Sequence, residues 1–299
     1  MSSKITDQQK FDPWEIKQEI IDIKLSILCC RYSILSEWEC ENLTSPFWRI
    51  YHSRLGGGFI SFKEKTIELI PNSIVVIPPN TSFSSHMKSA HISQNERIKS
   101  IKIKEESEIA LYSKEGMIDQ MFVHFKLGFP YDRVNPNIYQ FEINEYWETF
   151  IKAIEKKMME TPNQIDFQSN IRINHFVLFV LQLLPSFLWD IPRIDNRILN
   201  IIQHIENNLS EPLSNNELCK LTNMAKNSFA RLFKENIKCS VQQFIQQRRI
   251  ELAITLFHHS NIQIEEVAIE CGFYDRHHFS RIFKRNVGIS PGIYWKKIT

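Results

Sequence analysis

One segment of the chain is repeated, and this repeat limits the fold of the C-terminal third more than any other feature. Phe229–Ile237 reads FARLFKENI, and Phe279–Val287, fifty residues later, reads FSRIFKRNV. Each copy follows a short apolar stretch and a turn, and each combines apolar residues at helical spacing with Lys, Arg, Asn or His. The pattern predicts two similar pairs of helices in tandem.

The first copy has the local signals of a helix, a tight turn and a second helix. Ser214 and Glu217 have the spacing of a capping box, and Leu213 and Leu218 have that of a hydrophobic staple. Asn223 then stands where the chain must enter the left-handed region, which Asn tolerates better than most residues. A short first helix followed by a second helix with an open polar side predicts a helix-turn-helix motif.

The second copy repeats this logic with different residues. Gly272 takes the place of the turn-forming Asn and meets the same backbone requirement with less strain. Glu266 keeps the acidic position of the capping box, whereas Gln263 is a poorer cap than Ser. Ala268 is small enough for the two helices to approach closely. We therefore predict a second helix-turn-helix motif of the same kind.

Residues 213–297 resemble the DNA-binding domain of the AraC/XylS family of bacterial transcription regulators. The resemblance rests on VAIECGF at 267–273, FSRIFK at 279–284, GISPGIY at 288–294, and the spacing of Arg249 and Ala253. It implies an all-α domain in which a rigid helix joins two homeodomain-like helix-turn-helix motifs. It also implies double-stranded DNA and RNA polymerase as partners.

The resemblance places the DNA contacts on the second helix of each motif, where Arg can read guanine, Asn adenine and an Ala methyl thymine. The sequence departs from the family at Ala225, where a capping Ser is usual, and at Tyr274 and Asp275, which put a ring and a negative charge at the start of the second helix. The base-reading candidates are Asn227, Ala230, Arg231, Arg276, His277, Ser280 and Arg281, and the phosphate-binding candidates are Lys226, Lys234, Lys284 and Arg285.

The N-terminal region has short apolar or alternating runs broken by turn residues. Phe59–Phe62, Ile74–Ile77 and Met121–Phe125 are typical of strands, and many short strands without long helices predict an antiparallel barrel or sandwich. Pro46–Tyr51 and Ile77–Thr81 resemble a cupin-like sensor domain found before this DNA-binding unit in the same family. The resemblance implies a small-molecule effector, commonly a sugar, bound in the barrel.

Aromatic and polar residues of this region are the candidates for an effector pocket, because rings can stack on a sugar and polar groups can bind its hydroxyls. The alternative is that these aromatic residues form the barrel core. The five candidates are Trp38, Trp48, Arg49, Tyr51 and His52.

The resemblance to cupins also raises a metal site in this region, since many cupins bind a metal. His86, His91 and His124 are possible ligands, but no H-x-H with a following Glu is present, and Phe83 stands where related barrels often carry His. The six cysteines show no CxxC pair and no Cys/His spacing typical of a metal site. We therefore expect neither metal nor cofactor.

Two helices are predicted between the barrel and the repeat. Ile143, Trp147, Ile151, Ile154 and Met158 lie at helical spacing, and a second helix from about 165 to 184 is apolar nearly all round in its C-terminal half. Such a helix must be covered on more than one side. The barrel could cover it completely, or the same helix of a second subunit could cover part of it in a homodimer.

The whole chain therefore predicts an α+β protein with a cupin-like β-barrel and helical hairpin followed by an all-α double helix-turn-helix domain. The leading function is a DNA-binding transcription regulator controlled by an effector. The alternatives are a regulator whose β domain binds a protein, and a cupin-type metalloenzyme with a helical interaction module. The sequence contains neither a nucleophile elbow nor a phosphate loop, so nothing in it suggests an enzyme. We expect a cytoplasmic protein without a membrane span. The predicted boundaries are 1–138 for the barrel, 139–192 for the helical pair and 193–299 for the DNA-binding domain.

Overall fold

The computed structural model describes residues 23–88, 97–103, 105–191 and 193–298 of the chain. These residues form a strand-rich N-terminal part, a helical pair and a helical C-terminal part, which confirms the predicted α+β class. The strands are β1 (Ser26–Leu43), β2 (Trp48–His52), β3 (Gly58–Phe62), β4 (Lys65–Leu69), β5 (Ser73–Ile77), β6 (Phe83–Met87), β7 (Arg97–Ile101), β8 (Ile118–Lys126) and β9 (Tyr139–Glu142). The helices are α1 (Ser107–Lys114), α2 (Glu145–Glu160), α3 (Phe167–Leu183), α4 (Asn196–Asn207), α5 (Asn215–Leu221), α6 (Lys226–Ile237), α7 (Val241–His259), α8 (Ile264–Glu270), α9 (Arg276–Val287) and α10 (Pro291–Ile298), with a 3-10 helix at Ser186–Trp189.

The strands form a nearly closed antiparallel barrel. Their order is β4-β3-β6-β1-β8-β2-β5-β9, and β7 pairs with β1. The long strand β1 links the two parts of the barrel, because its first half pairs with β8 and its second half with β6 and β7. The two ends of the strand order also meet, since the Gln140 side chain of β9 donates a hydrogen bond of 2.8 Å to the Glu68 carbonyl of β4.

Alternation along the strands creates two apolar cores, because successive side chains point to opposite faces of a sheet. On β2, Trp48 and Ile50 belong to the core that the barrel shares with α2 and α3. Tyr51 on the same strand belongs to the core inside the barrel, together with Trp38 and Phe83. The barrel interior is thus separated from the helical pair by a wall of strands.

The helical pair packs on the outer face of the barrel. Asn144 caps α2 by accepting a hydrogen bond from the Trp147 amide at 3.1 Å, and Asp166 caps α3 through the Ser169 amide at 2.8 Å. Ile173, at the middle of α3, is completely buried in the core shared with the barrel. No helix within the described ranges is both long and apolar enough to cross a lipid bilayer.

The C-terminal part contains two apolar cores that share α7. Phe244 near the start of α7 packs with α4, α5 and α6, whereas Phe257 near its end packs with α8, α9 and α10. Since each core encloses one copy of the sequence repeat, α7 is the structural link between the two predicted motifs.

Candidate nucleic-acid interface

The first motif, α5 and α6, has the predicted capping box and turn. The Glu217 amide donates to the Ser214 hydroxyl at 3.2 Å, and the Ser214 amide donates to the Glu217 carboxylate at 2.9 Å. Asn223 has a φ of 53°, as the tight turn requires. No side chain caps α6, because Ala225 at its N-cap has no acceptor. The recognition helix of this motif therefore begins without the stabilising hydrogen bond that a side-chain N-cap provides.

The second motif, α8 and α9, is capped differently. Gly272 has a φ of 71° in the turn, and the Gln263 amide donates to the Glu266 carboxylate at 2.9 Å. The Asp275 carboxylate accepts a hydrogen bond of 2.6 Å from the His278 amide at the start of α9. From the sequence, Asp275 is a negative charge at the start of the second recognition helix; in the structure its side chain is the N-cap of that helix.

The recognition helices α6 and α9 bury one stripe and leave the other side open. Phe229 and Phe233 of α6 and the equivalent Phe279 and Phe283 of α9 are completely buried. The eleven predicted DNA-binding residues lie on the same two helices. Ala230 and Ser280 are half-buried, and Lys226, Asn227, Arg231, Lys234, Arg276, His277, Arg281, Lys284 and Arg285 are exposed.

Weak ion pairs hold some of these cations in the free protein. Arg276 pairs with Glu265 of α8, and Arg231 lies 3.8 Å from Glu235 on the same helix. All four side chains are more than half exposed, and exposed pairs of this kind contribute at most ~1 kcal/mol. Both arginines can therefore exchange their carboxylate partner for a base or a phosphate at small cost.

Polar contacts of Arg248 and Arg249 hold α7 against the rest of the domain. Arg249 donates to the carbonyl oxygens of Leu209 at 2.9 Å and Glu211 at 2.7 Å. Arg248 pairs with Glu206 of α4 and with Glu251 of its own helix. At a rise of ~1.5 Å per residue, the 19 residues of α7 span ~28 Å, which is comparable to the ~34 Å between successive major grooves.

Comparison with known protein families agrees with this geometry. A family model described as a helix-turn-helix domain matches residues 218–297, which include both motifs and α7. Over this segment the chain is similar to HTH-type transcriptional regulators. The AraC-type helix-turn-helix domain predicted from the sequence is thereby confirmed over these residues.

Curated relatives share this segment. An uncharacterized HTH-type transcriptional regulator of Bacillus subtilis, YfiF, is 34% identical over 91 residues, which are 30% of this chain and 29% of that protein. The HTH-type transcriptional activator RhaR of Cronobacter sakazakii is 32% identical over 88 residues, 29% of this chain and 31% of that protein. The matched segment thus spans less than a third of either relative.

Two solved structures are similar to this chain, one over most of its length and the other over a third of it. ToxT from Vibrio cholerae is 12% identical with a TM-score of 0.49, covering 92% of this chain and 99% of that chain. The DNA-binding domain of AdpA in complex with a target DNA is 24% identical with a TM-score of 0.33, covering 33% of this chain and 90% of that chain.

The five candidates for an effector pocket are divided between two faces of the barrel wall. Trp38 and Tyr51 meet inside the barrel with ring centroids 5.8 Å apart, and Arg49 lies on the same face of β2 as Tyr51. The other two face the helical side. His52 Nδ1 lies 2.8 Å from Glu155 of α2, and Trp48 belongs to the core shared with α2 and α3. Because successive side chains of a strand point to opposite faces of the sheet, these five side chains do not line one pocket.

Sequence reasoning did not anticipate the contact between the barrel and the DNA-binding domain. Phe47 packs on His258 and His259 at the end of α7, with ring centroids 5.3 and 4.9 Å apart. The Tyr294 hydroxyl donates to the Thr44 carbonyl at 3.4 Å. No local signal could reveal these contacts, because the partners are more than 200 residues apart.

Of the histidines considered as metal ligands, His86 does not cluster with His124. His86 is exposed and stacks on Phe59 at 5.1 Å, and His91 lies outside the described residues. His124 is buried, and its neighbours Cys29 and His259 each present a metal-ligating atom close to it. Thiol and imidazole groups of this kind are typical ligands of transition metals.

Proposed function

We propose that the protein is a sequence-specific DNA-binding transcription regulator that inserts α6 and α9 into successive major grooves. The observation that carries this proposal is the recurrence of exposed Arg231 and Arg281 at equivalent places on two recognition helices, held by the shared helix α7. The described relatives are transcriptional regulators over the same segment, which supports the proposal. RNA polymerase is its expected protein partner. Since all six cysteines are free thiols, a reducing cytoplasm suits the chain.

Selection from a pool of randomised DNA duplexes tests the proposed function. The purified protein should enrich a bipartite sequence whose two halves are centred ~10–11 base pairs apart, because two recognition helices on one face of DNA must follow its helical repeat. The selection is carried out at moderate salt in the presence of sugars and other polar metabolites. A pool that remains random after repeated rounds would contradict the proposal.

We infer further that the barrel interior binds a small polar effector, such as a sugar. Arg49 Nε, Ser85 Oγ and Gln120 Nε2 are buried without a hydrogen-bond partner, and buried polar atoms in folded proteins rarely remain unpaired. Trp38 and Tyr51 supply aromatic surface inside the same barrel. Unpaired donors and acceptors beside rings suit a ligand that carries hydroxyl or carbonyl oxygens.

A thermal-shift assay with sugars and other polar metabolites tests the effector. A ligand at ~100 times its Kd should stabilise the folded protein by ~2.7 kcal/mol and raise its melting temperature. Gln120→Leu should abolish this shift, whereas Gln168→Leu, an exposed position on α3, should leave it unchanged. If no compound in the panel raises the melting temperature, the small-molecule proposal fails and the protein-partner alternative gains support.

We also propose that α3 contributes to a homodimer. Phe167, Ile171 and Leu178 form an apolar stripe on its open side and are 76%, 48% and 42% exposed. Leu178→Glu should shift the protein towards the monomer in sedimentation equilibrium without unfolding it, because the side chain is already exposed. Lys156→Glu on the exposed side of α2 is the control. A wild-type protein that is monomeric at micromolar concentration would contradict the proposal.

A further inference from the structure

Three metal-ligating side chains from two domains meet at the boundary between the barrel and the DNA-binding domain. Cys29 of β1, His124 of β8 and His259 of α7 each present one ligand atom, and these three atoms all lie within 4.8 Å of one another. His124 Nδ1 is 3.0 Å from His259 Nε2. This is the one such Cys/His cluster among the residues that the structure describes.

An irregularity in β1 brings the thiol to this place. The pairing of β1 with β8 shifts between Ile27 and Cys29, so that Leu28 is an extra residue and Cys29 stands directly opposite His124. Directly opposed residues of an antiparallel pair lie on the same face of the sheet. Regular pairing would place the Leu28 side chain opposite His124 instead. Such bulges redirect side chains at sites where a strand has a function beyond pairing.

The hydrogen bonding of His259 prepares its ring for a metal. His259 Nδ1 lies 2.8 Å from the Thr255 carbonyl, which can only accept a hydrogen bond, so Nδ1 carries the proton. Nε2 is then left with its lone pair, and it is the atom that faces His124. A backbone carbonyl that fixes the ring and the tautomer in this way is the usual outer-shell support of a metal-bound histidine.

The protonation states of the histidines suit ligation. Burial lowers the pKa of His259 to about 4 and that of His124 well below its ordinary value, so both rings are neutral at neutral pH. Burial raises the pKa of the Cys29 thiol to about 11. A bound divalent cation would displace the thiol proton to solvent and leave a thiolate ligand. The nearby charges of Arg31 and Arg49 oppose a cation, and the thiolate formed on binding offsets one of them.

The spacing also suits one ion. Two nitrogens bound tetrahedrally to Zn²⁺ at ~2.0–2.1 Å are ~3.3 Å apart, and a sulfur bound at ~2.3 Å lies ~3.6 Å from each nitrogen. The two imidazole nitrogens are already close to this separation. Small changes of side-chain rotamer bring the thiol into range, and a fourth position remains for water. One thiolate and two imidazoles are ligands that zinc prefers.

We propose that Cys29, His124 and His259 form a divalent transition-metal site, with Zn²⁺ as its expected ion, that fastens the barrel to α7. Since the ligands come from both domains, a bound ion must favour the docked arrangement over any arrangement in which they separate. Because α7 joins both helix-turn-helix motifs, a bound ion would also affect DNA binding. This consequence rests on the proposed function. The metal site itself does not depend on that function.

Cobalt titration of the full chain, after removal of metal with a chelator, tests the site directly. Co²⁺ should bind one per chain and give the intense visible bands of a tetrahedral complex together with a thiolate-to-cobalt charge-transfer band. Zn²⁺ should displace it. Cys29→Ser should remove the charge-transfer band, and His259→Gln should weaken binding by more than the ~10–100-fold that loss of an outer-shell partner costs.

Matched variants separate this site from unspecific binding. Cys239→Ser changes a half-buried thiol outside the cluster, and His204→Gln changes an exposed histidine on α4; both should bind cobalt like the original protein. Circular dichroism identifies any variant that fails to fold. If His259→Gln does not fold, the result for Cys29→Ser alone decides. Absence of tetrahedral cobalt bands in the original protein would overturn the proposal, as would a charge-transfer band that persists in Cys29→Ser. DNA binding is measured separately on the selected sequence, with and without Zn²⁺.

Discussion

Gly272→Ala should destabilise the DNA-binding domain by roughly 2–5 kcal/mol. The backbone at this turn has a φ of 71°, where an L side chain costs ~1–2 kcal/mol. A methyl group would also overlap the Leu209 carbonyl oxygen and lie 2.8 Å from Arg249 Nη2. Overpacking of this kind costs a further ~1–3 kcal/mol. Arg249 donates to that same carbonyl, so the methyl would push the turn of the second motif away from the segment between α4 and α5.

Guanidinium unfolding of both variants and the original protein measures the difference. Gly288→Ala is the matched control, because Gly288 also has a positive φ, 89°, but no atom lies within 4 Å of the added methyl. The control should therefore lose only the ~1–2 kcal/mol of backbone strain. Equal losses of stability at Gly272 and Gly288 would show that the close approach to Leu209 contributes nothing.

Arg281→Ala should weaken specific DNA binding by roughly 1–3 kcal/mol, which is about 5- to 150-fold in Kd, and should relax the preference at one base position. Arg281 is exposed on α9, and its helix is firmly placed by the buried Phe279 and Phe283 and by the Asp275 cap. Loss of the guanidinium should therefore remove a base contact without moving the helix. Fluorescence anisotropy with the selected duplex and with variants at each base position measures both effects.

Two further substitutions define what this result means. Lys284→Ala should weaken binding to all sequences alike and reduce the salt dependence by about one counterion, as expected for a phosphate contact. Arg172→Ala removes the same charge from the exposed side of α3 and should leave binding unchanged. If Arg281→Ala keeps the original specific affinity, or if it behaves like Lys284→Ala, its assignment as a base reader is wrong.

The sequence alone predicted most of the DNA-binding domain, because its signals are local. Ser214 and Glu217 lie three residues apart, and a capping box needs no other part of the chain. The positive φ values of Asn223 and Gly272 likewise follow from the residue types that tolerate a left-handed turn. Since the repeated segment has the same pattern in both copies, the first motif predicted a second helix-turn-helix motif of the same kind. The capping role of Asp275 was not predicted, since it depends on a backbone amide of α9 that the sequence does not show.

Contacts between distant segments were harder to predict. The strands were found from their alternation, yet alternation did not show which face of β2 is the barrel interior, and so Trp48 and His52 were grouped with Tyr51. Cys29 and His259 are 230 residues apart and belong to different predicted domains. Their approach depends on a bulge in β1 and on the docking of α7, and neither leaves a local signal. The predicted domain boundaries remain predictions.

Footprinting of the protein on the selected DNA sequence with hydroxyl radicals tests the central claim most directly. Two recognition helices joined by the rigid α7 should protect two patches on the same face of the duplex, centred ~10–11 base pairs apart. Substitution of Arg231 by alanine should weaken protection in one patch, and substitution of Arg281 in the other. A single protected patch, or two patches on opposite faces of the duplex, would contradict the account.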